Sequence, residues 1–100
     1  MLVKTSELTG VSLNWAVRFV NNGFAPKDYV EARDNFSTCW NKGGPIIERE
    51  RIAVGKSWEH WKAFTDASKG EGPTPLIAAM RCYVASKLGD TVEIPDELFA

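Results

Sequence analysis

His60 is the only histidine in this chain, and Cys39 and Cys82 are its only cysteines. A serine or cysteine nucleophile needs a base beside it, so any such site would have to use His60. Neither cysteine stands in a nucleophile-like setting. Cys82 lies within the apolar run Leu76-Ile77-Ala78-Ala79-Met80-Arg81-Cys82-Tyr83-Val84 and reads as a packing residue. Two cysteines and one histidine without motif spacing fall short of a metal site. The expectation is therefore no catalytic residue, no metal and no cofactor. Carboxylates such as Glu48 and Glu50 keep open the alternative of a small enzyme acting on a nucleotide-type ligand.

Binding chemistry is better supplied. Four tryptophans in 100 residues is a high content, and Trp40, Trp58 and Trp61 fall outside the plain helical segments. An indole offers a flat apolar surface on which a base or a peptide side chain can stack. Arg49, Arg51 and Arg81 offer the matching charge for phosphate. Gly43-Gly44-Pro45 precedes a helix expected to open at Pro45, and a helix N-terminus favours anions. With no lysine-serine continuation it is no P-loop, and a tight turn is its ordinary reading. A ligand site is expected from Trp40, Gly43, Gly44, Arg49, Arg51 and Trp61. The competing readings are that the indoles fill a small core and that Glu48-Arg49-Glu50-Arg51 is a solvated face.

The elements that must carry these residues are unevenly legible. A helix over about 6–20 follows from Leu8, Val11, Trp15 and Phe19 at helical spacing, with Thr5 or Ser6 as cap and Asn21-Asn22-Gly23 as stop. Gly10 within it would cost about 1 kcal/mol relative to alanine. Phe24 to Asn35 reads as irregular, with a short helix or a strand edge as alternatives. Pro45 to Ile52 reads as two helical turns, and Ser57 to Thr65 fits helix or strand. Asp66 to Gly72 is loop by composition. The clearest element is a helix over 74–88, with Thr74 as N-cap, Pro75 in its first position and Gly89 as the stop. Thr91-Val92-Glu93-Ile94 then reads as a short strand, followed by a closing turn.

Leu76, Ile77, Met80, Tyr83, Val84 and Leu88 form the core stripe of that last helix. Its other side carries Ala78, Cys82, Ala85 and Ser86, small residues where a solvated helix would carry charges. Such a face is either sandwiched inside the domain or used for self-association. Ala78, Cys82 and Ala85 are the residues expected to form a homodimer or higher oligomer.

One hundred residues predict a single domain over 1–100, and 44% apolar with 25% charged content is ordinary for a globular protein. A net charge of -1 supplies no basic field for DNA or an anionic membrane. No apolar spanning run is present, and Met1-Leu2-Val3-Lys4-Thr5 has no signal-like apolar core. Reduced thiols in a cytoplasm are the expectation.

Three blocks carry a family resemblance. They are Lys4-Thr5-Ser6-Glu7-Leu8-Thr9-Gly10 with Leu13 and Trp15-Ala16-Val17, then Ser37-Thr38-x-Trp40-x-x-Gly43-Gly44-Pro45-Ile46-Ile47-Glu48-Arg49-Glu50, then Gly72 to Arg81 with Val84 to Asp90. Together they resemble the NinX-type proteins of lambdoid phages and prophages. The resemblance implies a phage accessory protein made in the bacterial host cytoplasm, and no particular activity. It also implies a layout similar to small phage α/β sandwich domains, in which a Trp-x-Ala strand precedes the final helix, placing Trp61-Lys62-Ala63 on a strand. The expected fold is thus α/β (α+β): a small single-domain sandwich with helices at about 6–20 and 74–88 packed on a short sheet. The expected function is binding, in counter-defence or host takeover, through a host protein or by sequestering a nucleotide-like signal.

Overall fold

A computed structural model describes residues 1–23 and 34–99. The reading of Phe24 to Asn35 as irregular therefore lies, up to residue 33, outside the described residues. Strand β1 (Leu2–Lys4) leads through a 3-10 turn (Thr5–Glu7) into helix α1 (Gly10–Asn21). Helix α2 (Trp40–Glu50) follows, then strands β2 (Ala53–Ser57), β3 (His60–Phe64) and β4 (Lys69–Gly72). Helix α3 (Pro75–Leu88) and strand β5 (Thr91–Glu93) complete the fold before a final 3-10 turn (Asp96–Phe99). The fold is α+β, as the sequence predicts, and its strands pair antiparallel. The strands form two sheets where one was expected: a β1–β5 ribbon and a three-stranded sheet in the order β2-β3-β4.

Helix α3 is the organising element, packed against α1, α2, both sheets and the Thr5–Glu7 turn. Its start matches the sequence reading: the Thr74 hydroxyl accepts from the Ile77 N–H at 3.1 Å, and Pro75 occupies the first position. Gly89 ends it at φ 82°. Leu76, Ala78, Ala79, Met80, Cys82, Tyr83 and Val84 are all buried, so nearly the whole circumference is covered. Leu8, Leu13, Val17, Val84 and Ile94 complete the interior around Met80.

Several boundaries differ from expectation for local reasons. Helix α1 begins at Gly10 because Thr9 and Ser12 close on each other: the Ser12 hydroxyl donates to the Thr9 carbonyl at 2.8 Å and accepts from the Thr9 N–H at 3.3 Å. Gly10 takes φ 50°, so it is a hinge that suits glycine and not a weak point inside a helix. Helix α2 begins at Trp40, five residues before Pro45, which sits inside it. The proline forgoes one bond a turn into the helix, a loss tolerated where packing holds the segment. Lys69–Gly72, read as loop, is a strand because its two glycines let α3 lie directly on the sheet. Trp61-Lys62-Ala63 does lie on a strand, and Ala63 pairs with Val54 and Gly70 on the face toward α3.

The end of α2 is tied to α3 by charge. The Glu50 carboxylate accepts from Arg49 Nε at 2.9 Å and stands 3.3 Å from Lys87 Nζ. The Arg49 hydrogen bond, aided by Lys87 and opposed by burial, holds the Glu50 carboxyl below the usual carboxylate range. A lowered folded-state pKa stabilises above the ordinary carboxylate range, and that contribution is lost as pH falls through it. Glu50→Gln is therefore expected to cost about 1 kcal/mol or less at neutral pH. Thermal melts should show the gap to wild type closing in acid; a gap that stays constant would contradict the pairing.

Candidate functional site

Arg81 interrupts the apolar body of α3, and its guanidinium is held by main-chain carbonyls alone. Nε donates to the Leu8 carbonyl at 2.8 Å and Nη1 to the Glu71 carbonyl at 2.7 Å. Among the described residues no carboxylate lies within ion-pair distance of Arg81, Lys69 or Lys4. Burial alone pulls the Arg81 pKa below its ordinary value, with no acidic neighbour pulling it back. A half-buried cation without a counter-ion carries a desolvation cost that a bound anion would offset.

The space in front of it is a cavity of about 240 Å³. Lys4 and Ser6 border it from β1 and the 3-10 turn, Lys69 from β4, and Asp90 from the segment before β5. Three cations thus face one carboxylate. The Thr5 hydroxyl is spent on the Gly89 carbonyl at 2.6 Å, whereas the Ser6 hydroxyl has no protein partner among the described residues. Ala85, one turn beyond Arg81, leaves the floor open.

A second, more open depression of about 640 Å³ shares Ser6, Lys69, Gly70 and Arg81 with the first. It runs past Gly72 and Pro73 to Glu59 and His60 at the β2–β3 turn. The two make one elongated groove along the β4 edge of α3. Glu71 faces outward, where its carboxylate stands 3.6 Å from Lys62 Nζ and 3.8 Å from His60 Nε2. At 3.8 Å the latter is no hydrogen bond, and His60 Nε2 is enclosed without a hydrogen-bond partner among the described residues.

The residues expected to form a site from sequence are scattered. Trp40 opens α2 and is 55% exposed. Arg49, nine residues later on the same helix, is roughly 13 Å further along and half a turn out of phase. It is engaged by Asn21 Oδ1 at 2.9 Å and the Tyr83 hydroxyl at 3.1 Å, and its guanidinium lies 5.8 Å from the Tyr83 ring. Gly43 and Gly44 lie inside α2, and the Gly43 N–H is spent on the Cys39 carbonyl at 2.9 Å. A Cβ at Gly43 would fall 2.5 Å from Leu76 Cδ1, so the glycine serves helix packing. Arg51 ends α2 at φ 55° and borders a separate depression with Phe64 and Asp66. Trp61 comes nearest to the groove, as the cross-strand neighbour of Gly72, and its ring lies 5.3 Å from Lys56 Nζ. Of the four tryptophans only Trp15 is a core residue, stacked on Phe19 with centroids 5.1 Å apart.

Ala78 and Cys82 are fully buried beneath β4, so a second copy of the chain would have to use another surface. Burial raises the Cys82 thiol pKa, which makes it a poor nucleophile. Among the described residues, no three His, Cys, Asp or Glu side chains cluster as a metal ion would require. No helix among them is long and apolar enough to cross a membrane.

Sequence reasoning noted Arg81 as a phosphate-compatible charge but did not place it in the site, and it passed over Lys4, Ser6 and Lys69. The signal was present: Arg81 and Lys87 are the only charges in the body of the most apolar helix. A family model described as Bacteriophage P22, NinX matches residues 4–87, which include Lys4, Ser6, Lys69 and Arg81. No curated protein matches the chain.

Proposed function

The chain belongs to the bacteriophage P22 NinX family, and from that premise we propose that it acts by binding a phosphate-bearing small molecule in the Arg81 groove. The supporting observation is the half-buried guanidinium, fixed by two carbonyls and without a carboxylate partner among the described residues, between two exposed lysines. Arginine held in this way is fixed in place, with Nη2 left to donate to a phosphate. Sequestering a nucleotide-like host signal in the bacterial cytoplasm would serve counter-defence or host takeover, roles that need affinity and no turnover.

Titration calorimetry with pyrophosphate tests the site. Binding is expected at low salt and should weaken as salt rises. The double variant Lys4→Ala/Lys69→Ala removes two exposed cations, so it should lose about 100-fold in affinity with little change in melting temperature. Absence of both binding heat and thermal stabilisation with millimolar pyrophosphate would remove the proposal. The His60–Glu71 contact at the rim, at 3.8 Å, is the one observation favouring the catalytic alternative. Mass spectrometry of a ligand released by heat separates the two: intact favours sequestration, altered favours catalysis.

A further inference from the structure

We infer that the groove takes a nucleoside monophosphate, its phosphate on Arg81 and its base at the β2–β3 turn, an assignment that rests on the phosphate reading above. The two ends of the groove differ in chemistry. The inner end is cationic, with Lys4, Lys69 and Arg81. The outer end carries Glu59 and His60. Glu59 has no ion-pair partner among the described residues, and its carboxylate is an acceptor for the amino group of a base. His60 Nε2, enclosed in this structure, has no hydrogen-bond partner among the described residues. The depression of about 640 Å³ that runs from Arg81 to this end lies within the usual range for small-molecule sites, roughly 300–1,000 Å³.

The turn itself supplies a stacking surface. Ser57 pairs with His60, leaving Trp58 and Glu59 as the two central residues. Trp58 takes φ 54° and is 93% exposed. A bulky side chain is disfavoured at positive φ, where glycine is at ease, and an exposed indole buries no apolar surface for folding. Residues held in such conformations concentrate at ligand clamps. Trp58 precedes Glu59 and His60 in the chain and does not itself line the groove, so in this assignment its exposed indole swings over a flat ring seated at the mouth. Stacking of this kind is tolerant of base identity, while the carboxylate favours a base with an exocyclic amino group.

Adenosine 5′-monophosphate and ribose 5-phosphate, titrated into wild type and Trp58→Gly, separate the ring from the phosphate. Glycine suits φ 54°, so the variant should fold with a melting temperature at or above wild type. Wild type is expected to bind the nucleotide at least about tenfold more tightly than ribose 5-phosphate. In Trp58→Gly the nucleotide should fall toward the ribose 5-phosphate level, which itself stays unchanged. Equal affinity of wild type for the two ligands overturns the base assignment and leaves the phosphate site standing. A nucleotide preference that persists in Trp58→Gly overturns the role of the indole. Binding of neither ligand removes the assignment together with the phosphate reading beneath it.

Discussion

Gly70→Ala is expected to cost more than about 3 kcal/mol, a large fraction of the roughly 5–15 kcal/mol that holds a small domain folded. A Cβ built at Gly70 lies 2.3 Å from the Ala78 carbonyl oxygen and 2.5 Å from the Cys82 amide nitrogen. Both are main-chain atoms of α3, so no rotamer change relieves the overlap, and helix and sheet must separate. Two other glycines calibrate the result. At Gly72 the nearest obstacle is the Ile77 side chain at 2.7 Å, which can turn aside in part, so Gly72→Ala should cost less. At Gly55 nothing lies within 4 Å, and alanine there should be neutral or slightly stabilising. Urea denaturation of the three variants reads the order directly. A Gly70→Ala protein within 0.5 kcal/mol of wild type, roughly the span of a bland surface change, would mean that α3 does not rest on β4.

The same contact explains what was legible in the sequence and what was hidden. Helix α3 announced itself because its cap, its proline and its terminal glycine are local signals that packing did not override. Strand β4 did not: Lys69-Gly70-Glu71-Gly72 has a loop's composition, and its glycines make sense only once the helix lying on them is known. The small-residue face of α3 was visible as a face needing cover. Its cover, β4, comes from a segment that reads as loop, so the sequence left interior packing and self-association open as alternatives. Gly43-Gly44-Pro45 misled for a similar reason. Two glycines and a proline signal a turn by propensity, but Gly43 is there to admit Leu76 against α2, and the helix runs through all three.

The site was less legible than the fold because its parts come from distant segments. Lys4, Ser6, Lys69 and Arg81 belong to β1, a 3-10 turn, β4 and α3, and no spacing rule links them. What the sequence did contain was one arginine in an otherwise apolar stretch. Its meaning depends on having no ion-pair partner among the described residues, which is a property of the folded surroundings. Trp58 was likewise flagged only as one of several indoles outside the helices. Its positive φ and full exposure set it apart from Trp15 in the core and Trp61 on the inner strand face.

Ala85→Glu should abolish pyrophosphate binding, by about 100-fold or more, while leaving the fold intact. Ala85 lies one turn beyond Arg81 on α3 and borders the same cavity, so a glutamate there reaches the guanidinium as an i,i+4 partner. It would supply the ion-pair partner that Arg81 lacks among the described residues and repel an incoming anion. Placing a satisfied ion pair in the cavity should hold or raise the melting temperature. Ala85→Gln adds the same bulk without the charge, so the difference between the two variants measures the electrostatic share. The glutamate variant also bears on self-association: if light scattering shows its mass falling relative to wild type while phosphate binding persists, Ala85 belongs to an interface between copies. Binding unchanged in both variants would place the anion away from Arg81.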